Sequence, residues 1–169
     1  TAQMAVQASL TGHLVLSTLH TNDAPSAVTR LLDLGVPHYL LASTVNGVLA
    51  QRLVRTLCPH CKVPTTLTAA DWAALQDDDR ALPQAPTAYA PVGCLECRRT
   101  GFLGRIGLYE LMPLTPGLRG RIRPDMDLAA FSHAAKAGGL RTLRDTALEK
   151  VAAGLTTIEE VLTVLPPPE

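Results

Sequence analysis

The sequence predicts an α/β chain with a metal-binding insertion and a helical C-terminal part. Three observations predict it. The short apolar run His13-Leu-Val-Leu-Ser-Thr-Leu19 reads as a strand buried on both faces of a parallel sheet. Four cysteines, Cys58, Cys61, Cys94 and Cys97, form two C-x-x-C pairs. Apolar residues recur at helical spacing from about residue 127.

Composition narrows the class. The chain has 169 residues and a mass of 18.0 kDa, the size of an ordinary domain. Lys plus Arg and Asp plus Glu are 15 each, so the net charge is +0 and the pI about 6.9. That balance argues against a general nucleic-acid binder, and the few aromatic residues leave few platforms for stacked bases. With 47% hydrophobic and 18% charged residues the chain is globular. No apolar run approaches the roughly 20 residues of a bilayer span, and no secretory signal opens the sequence. The run from Thr1 to Leu10 is helix-like and lacks an initiator Met, which predicts a piece of something longer. The lysines are Lys62, Lys136 and Lys150, and none follows a glycine, so G-x-x-x-x-G-K-[ST] is absent. A self-contained P-loop hydrolase is therefore excluded.

The elements follow in order. The predicted strand ends in the polar cluster His20-Thr21-Asn22-Asp23, and ligands in open α/β sheets bind beyond such strand ends. Asn22 or Asp23 caps the next helix, with Pro25 in its first turn. Val28, Leu31 and Leu32 make its apolar face, and Gly35 closes it in the left-handed conformation. Pro37 opens a second helix carrying Leu40, Leu41, Thr44, Val48 and Leu49. Gln51 to Leu57 suits helix or strand; β-branched Val54 and Thr56 favour a strand leading into the first cysteine pair. Thr68 and Asp71 start one short helix with Trp72 and Leu75 on a face. The rest of residues 58–101, with Pro64, Pro83, Pro86, Pro91 and the acidic run Asp77-Asp78-Asp79, reads as irregular connection. Gly101, Gly104 and Gly107 mark a tight turn and close backbone approach before a strand over 106–112. Helices follow over about 127–137, stopped by Gly138-Gly139, and about 140–153, ending at Gly154. Thr157-Ile-Glu-Glu160 is a capping box for a last short helix, and Pro166-Pro167-Pro168 ends it in a loose tail.

Two residues between thiolates let both sulfurs reach one tetrahedral ion at about 2.3 Å. Two such pairs with no cysteine left over predict a structural tetracysteine zinc site, closed to catalysis. Disulfides and unrelated buried thiols are the other readings, and disulfides need an oxidising compartment. His60, inside the first knuckle, leaves room for a three-sulfur, one-imidazole site. Arg98 and Arg99, directly after the last ligand, suit charge compensation and N–H···S contacts.

A family resemblance now becomes visible. The segment Thr11-Gly-His-Leu-Val-Leu-Ser-Thr-Leu-His-Thr-Asn-Asp-Ala24 resembles the His box of the secretion ATPases, the motors of type II secretion and of type IV pilus assembly and retraction. Ala50-Gln-Arg-Leu-Val-Arg55 followed by Cys58-Pro-His-Cys61 is similar to the same family. So are Cys94-Leu-Glu-Cys97 and Thr100-Gly-Phe-Leu-Gly-Arg-Ile-Gly-Leu-Tyr-Glu-Leu111. Gly139-Leu-Arg-Thr-Leu-Arg-Asp145 and Gly154-Leu-Thr-Thr-Ile-Glu-Glu-Val161 resemble its closing helices. The tetracysteine module is similar to that of the secretion and pilus-assembly branches, whereas retraction motors generally lack it.

The resemblance implies a hexameric ATPase that powers type II secretion by assembling a pseudopilus, or alternatively assembles a type IV pilus. It implies a cytoplasmic protein, peripheral at the inner membrane, with inner-membrane platform proteins as partners. In such a motor the P-loop and Walker B carboxylates lie upstream of the His box. Residues 1–57 then form the C-terminal part of a RecA-like domain, 58–101 the zinc module, and 102–169 a strand and helical bundle. ATP and Mg²⁺ belong to the full-length protein, and the isolated chain is expected to be inactive. By resemblance His13 and His20 lie near the γ-phosphate, where an imidazole N–H stabilises charge or orients water. Thr21 and Asn22 position that loop or simply cap the helix; Gln51 and Arg52 face the nucleotide or an adjoining subunit. Arg30 reads as a solvated helix residue, and the basic cluster from Arg98 to Arg123 as a solvated face, a docking surface being the alternative. The competing function is a stand-alone zinc module that binds protein; a zinc-ribbon nucleic-acid binder is weaker.

Overall fold

The computed structural model describes residues 1–73, 75 and 87–165. Within them the chain forms two compact units, residues 1–50 with 110–142 and residues 51–109 with 143–169. Each is built around alternating or helical apolar faces, and among the described residues no helix is long and apolar enough to cross a membrane.

The first unit holds helices α1 (Ala2–Leu10), α2 (Ala24–Asp33), α3 (His38–Thr44), α5 (Pro116–Arg119) and α6 (Leu128–Ala137). It also takes one end each of strands β1 (Gly47–Leu57) and β4 (Phe102–Pro113). Helix α2 starts at Asp23, whose carboxylate accepts from Ser26 N at 2.7 Å, so Asp23 and not Asn22 is the cap. Pro25 sits in its first turn, and Ala24, Ala27 and Val28 are buried. Gly35 N donates to Leu32 O and Val36 N to Leu31 O, the paired bonds of a Schellman end. The same pair of bonds closes α1 at Gly12-His13 and α6 at Gly139-Leu140. Phe131, Leu41 and Met112 are the largest fully buried side chains of this unit.

Two sequence expectations fail here. Residues 13–20 form no strand. Leu14 is 82% and Leu16 87% exposed. A strand needs a neighbour for its N–H and C=O groups, and the ladders among the described residues pair β1 with β4 and β2 with β3. The apolar run therefore stays irregular, and the expected parallel sheet is absent from the described residues. The second failure is at α3, which stops at Thr44 and leaves Val48 and Leu49 to β1. The ladder wins there: Leu114 N donates to Asn46 O at 2.9 Å, and residues 48, 50, 52, 54 and 56 then alternate inward. Helix α5, capped by Thr115 with Pro116 at its start, was not anticipated.

The second unit contains the remainder of β1 and β4, with β2 (Val63–Thr65), α4 (Ala69–Ala73), β3 (Ala88–Ala90), α7 (Leu143–Ala152) and α8 (Ile158–Val164). The strand over Gln51 to Leu57 is as expected. Cys58 N donates to Gly101 O, while Asn46 pairs with Leu114 at the other end, so β1 and β4 are antiparallel. Between those pairs β4 carries one residue more than β1. Gly104, within that stretch of β4, has a left-handed φ of +80°. Phe102 lies beneath Arg55, whose guanidinium carbon is 4.2 Å from the ring centroid.

Part of the expected irregular connection is a ladder. Strands β2 and β3 pair antiparallel, Val63 with Ala90, Pro64 with Tyr89 and Thr65 with Ala88. Helix α4 carries the expected start: Thr68 Oγ1 accepts from Asp71 N, and Asp71 accepts from Thr68 N. Trp72 and Leu75 are buried. Asp77-Asp78-Asp79, Pro83, Pro86 and the Pro166–Pro168 tail lie outside the described residues. Helix α7 begins at Leu143 rather than 140.

The capping box at α8 forms by half. Thr157 Oγ1 accepts from Glu160 N, but the Glu160 carboxylate turns to Arg55, accepting from its backbone N at 3.3 Å and its Nε at 2.9 Å. These bonds hold the Glu160 carboxyl below its ordinary value of 4.5. A depressed carboxyl stabilises the fold above its unfolded pKa and loses that contribution as pH falls through the folded one. Arg55 is half-exposed, so the pair is worth less than about 1 kcal/mol. Thermal unfolding of Glu160→Gln should thus lie below the parent at neutral pH, and the gap should close as pH drops below the carboxylate range. A gap unchanged down to acid pH would show that the ion pair is not its source.

Candidate metal centre

The first knuckle grows from the end of β1. Past Leu57 the chain turns, with Lys62 N and Cys61 N both donating to Cys58 O. The second knuckle turns through different bonds, Arg98 N donating to Leu95 O, Arg99 N to Cys94 O at 2.7 Å and Thr100 N to Cys97 O. Arg98 and Arg99 both adopt positive φ, 52° and 62°, which bends the chain back toward the sulfurs.

The four Sγ atoms lie within 4.8 Å of one another. Cys58 is 3.8 Å from Cys94, Cys61 3.8 Å from Cys97, and Cys94 3.7 Å from Cys97. Sulfurs at about 2.3 Å from one tetrahedral ion sit about 3.8 Å apart, so the cradle fits a single tetrahedral metal. All four cysteines are free thiols, and no disulfide links them. Backbone amides aim at the sulfurs: Gly93 N at Cys61 Sγ (3.3 Å), Cys94 N at Cys97 Sγ (3.2 Å) and Gly101 N at Cys97 Sγ (3.2 Å). The N–H···S donors thus include two glycines, whereas the amides of Arg98 and Arg99, the expected donors, bond to Leu95 O and Cys94 O. The readable signal was a glycine flanking each side of the second pair.

The amides act on the thiols unequally. The Cys94 amide, with those of the neighbouring turn, holds the Cys97 thiol down at about 6. Burial, foremost, pushes Cys58 up to about 11. Cys97 thus ionises more readily than Cys58, and a bound cation favours the thiolate form of its ligands.

The remaining candidates fall in separate places. His13 is exposed at the end of α1, its Nδ1 3.0 Å from Thr11 Oγ1 and 3.2 Å from Ala8 O, so it closes the helix end. His20 is exposed. Thr21 Oγ1 donates to Asp23 O, and Asn22 is exposed beside it. Gln51 and Arg52 belong to the second unit: Gln51 Nε2 lies 3.5 Å from Tyr109 Oη, and Arg52 Nη1 donates to Gln51 O. Among the described residues only the cysteines converge to ligand distance. Sequence reasoning missed Glu110, which is 3% exposed and accepts from Ala24 N at 2.7 Å, at the start of α2. An acidic residue on the inward parity of β4 was its signal.

Comparison with known proteins places this site in a family. Residues 1–163 match the family described as type II/IV secretion system protein, and the chain belongs to it. It is 53% identical over 167 residues to the type IV pilus assembly ATPase TfpB of Acinetobacter baylyi, covering 98% of this chain and 28% of that protein. It is 48% identical over 164 residues to the type II secretion system protein E of Pseudomonas aeruginosa, covering 97% and 32%. The chain thus spans about a third or less of the relatives it matches. Its α/β fold is similar to that of the pilus retraction motor PilT with bound ADP, with a TM-score of 0.61, 22% identity and coverage of 98% of this chain and 36% of that one.

Gly101 has φ +78°, and a Cβ there would stand 2.4 Å from Pro91 Cβ. Gly101→Ala should therefore displace an amide that faces Cys97 and lower metal affinity by about 10–100-fold in competition with a chelator. Unchanged affinity would show that this amide does not support the centre.

Proposed function

We propose that this chain is part of a hexameric ATPase that powers assembly of a pseudopilus in type II secretion, or of a type IV pilus. The family match across residues 1–163 carries this reading. Identity of 53% to a pilus-assembly ATPase and 48% to a type II secretion protein E keeps both systems within it.

In this reading residues 1–57 complete a RecA-like nucleotide domain, 58–101 form a structural zinc module, and 102–169 add a strand and a helical bundle. Zinc suits the centre because four thiolates at tetrahedral spacing leave no open position for a substrate. Metal analysis of protein purified without chelator should find one zinc per chain; no metal together with no titratable thiols would indicate disulfides.

His20, exposed just before the capped start of α2, offers an imidazole to the γ-phosphate of ATP bound with Mg²⁺ in the full-length protein. His13 assists from the end of α1. Thr21 and Asn22 set the loop between them and α2. Gln51 and Arg52 face the nucleotide or the adjoining subunit. The motor works in the cytoplasm at the inner membrane, against platform proteins embedded there.

The chain alone is expected to hydrolyse no ATP, since no lysine follows a glycine to make a phosphate cradle. In the full-length protein His20→Ala should lower kcat by about 10²-fold or more with a smaller effect on nucleotide affinity. An unchanged rate would assign His20 to loop structure alone.

A further inference from the structure

We propose that the first cysteine knuckle and the α7–α8 junction form one cooperative element, with Lys62 as the link, so that metal binding fixes the start of α8. This rests on the reading of the four thiols as a metal centre and adds a consequence outside the centre itself.

The knuckle grips the junction from both of its ends. On the side before Cys58, Leu57 N donates to Leu155 O at 2.8 Å. On the side after Cys61, Lys62 Nζ donates to Gly154 O at 2.7 Å. The Lys62 backbone is itself part of the knuckle, because its N–H closes the turn onto Cys58 O. The same ammonium lies 4.6 Å from the centroid of the Tyr89 ring.

Tyr89 completes the grip. It sits on β3, opposite Pro64 of β2, and this short ladder runs between the two cysteine pairs. Its ring covers Gly154 so closely that a Cβ there would stand 2.5 Å from Cδ2. Gly154 closes α7 by a Schellman end, donating to Val151 O while Leu155 N donates to Lys150 O. Lys62 thus meets a helix C-terminus, where carbonyl oxygens favour a cation. From this junction Thr156 Oγ1 donates to Arg55 O, and Thr157 caps α8.

Without the ion, the two knuckles are joined by thiol contacts, amide N–H···S bonds, the Cys58–Gly101 backbone bond and one short ladder, with no bond linking all four sulfurs. Lys62 then loses its fixed anchor and the Gly154 carbonyl its fixed cation, while Leu57 keeps its place in β1. A lysine that served merely as a local contact would protect the junction to the same degree whether or not metal is bound.

Hydrogen exchange on the full chain separates the two cases. The chain is compared zinc-loaded and after exhaustive chelation, with zinc content measured in each sample. Chelation is expected to speed exchange of the amides of residues 153–158 by about tenfold or more. Lys62→Met is expected to keep one zinc per chain and the knuckle protection, but to exchange 153–158 at the metal-free rate in both samples. Lys62→Arg, which keeps the cation, should restore the metal dependence. Exchange at 153–158 that ignores zinc in the parent chain overturns the coupling while leaving the metal centre standing. Metal-dependent protection that survives in Lys62→Met overturns the role of Lys62. A chain that takes up no zinc overturns both the centre and the coupling.

Discussion

Closure of the chain between Cys58 and Cys97 is the constraint on which the second unit depends. The segment between the cysteine pairs has little core: Trp72, Leu75 and Ala88 are buried there among the described residues, and the β2–β3 ladder is three pairs long. A ladder of that length is marginal in water by itself. Bringing Cys58 beside Cys94 closes a loop whose entropy such contacts offset poorly. A structural zinc ion typically supplies an apparent 10–16 kcal/mol, roughly the whole stability of a small domain. The convergence of four sulfurs brings the two ends of this segment together beside the ladder and the turn at Gly101.

The first unit depends on a different device. Two carboxylates meet the N-terminus of α2, Asp23 at Ser26 N and Glu110 at Ala24 N. Glu110 comes from β4, 86 positions away in sequence, so the turn that follows His20 is pinned to the ribbon and not to its own neighbours alone. A buried carboxylate is costly unless hydrogen-bonded, and a helix N-terminus is among the places where it is stabilised.

What could be read from the sequence was local chemistry. A cap at Asn22 or Asp23, resolved to Asp23 by the structure, a helix start at Thr68, the glycines at 35, 139 and 154 and the paired cysteines appear where the residue types place them. What escaped was partnership across distance. Residues 13–19 have the composition of a buried strand, but pattern does not say whether a neighbour is present to complete the ladder. Val48 and Leu49 keep helical spacing with Leu41, yet β4 captures them. Glu160 fits its own helix cap, yet Arg55 offers a cationic partner and takes it.

The balanced charge also has a structural meaning. Several acids and bases of this chain serve backbone ends. Asp23 and Glu110 meet α2, Asp71 meets α4, and Asp127 accepts from Ala129 N at the start of α6. At the opposite pole, Arg119 donates to Ala42 O in the last turn of α3 and to Leu114 O, and Lys62 donates to Gly154 O after α7. Each sign lies where the helix dipole favours it. The basic stretch from Arg98 to Arg123 is therefore not a uniform surface: Arg119 is tied to carbonyl oxygens, and the acid within the stretch, Glu110, is buried. A charge count taken from composition merges these internal roles with the solvated arginines.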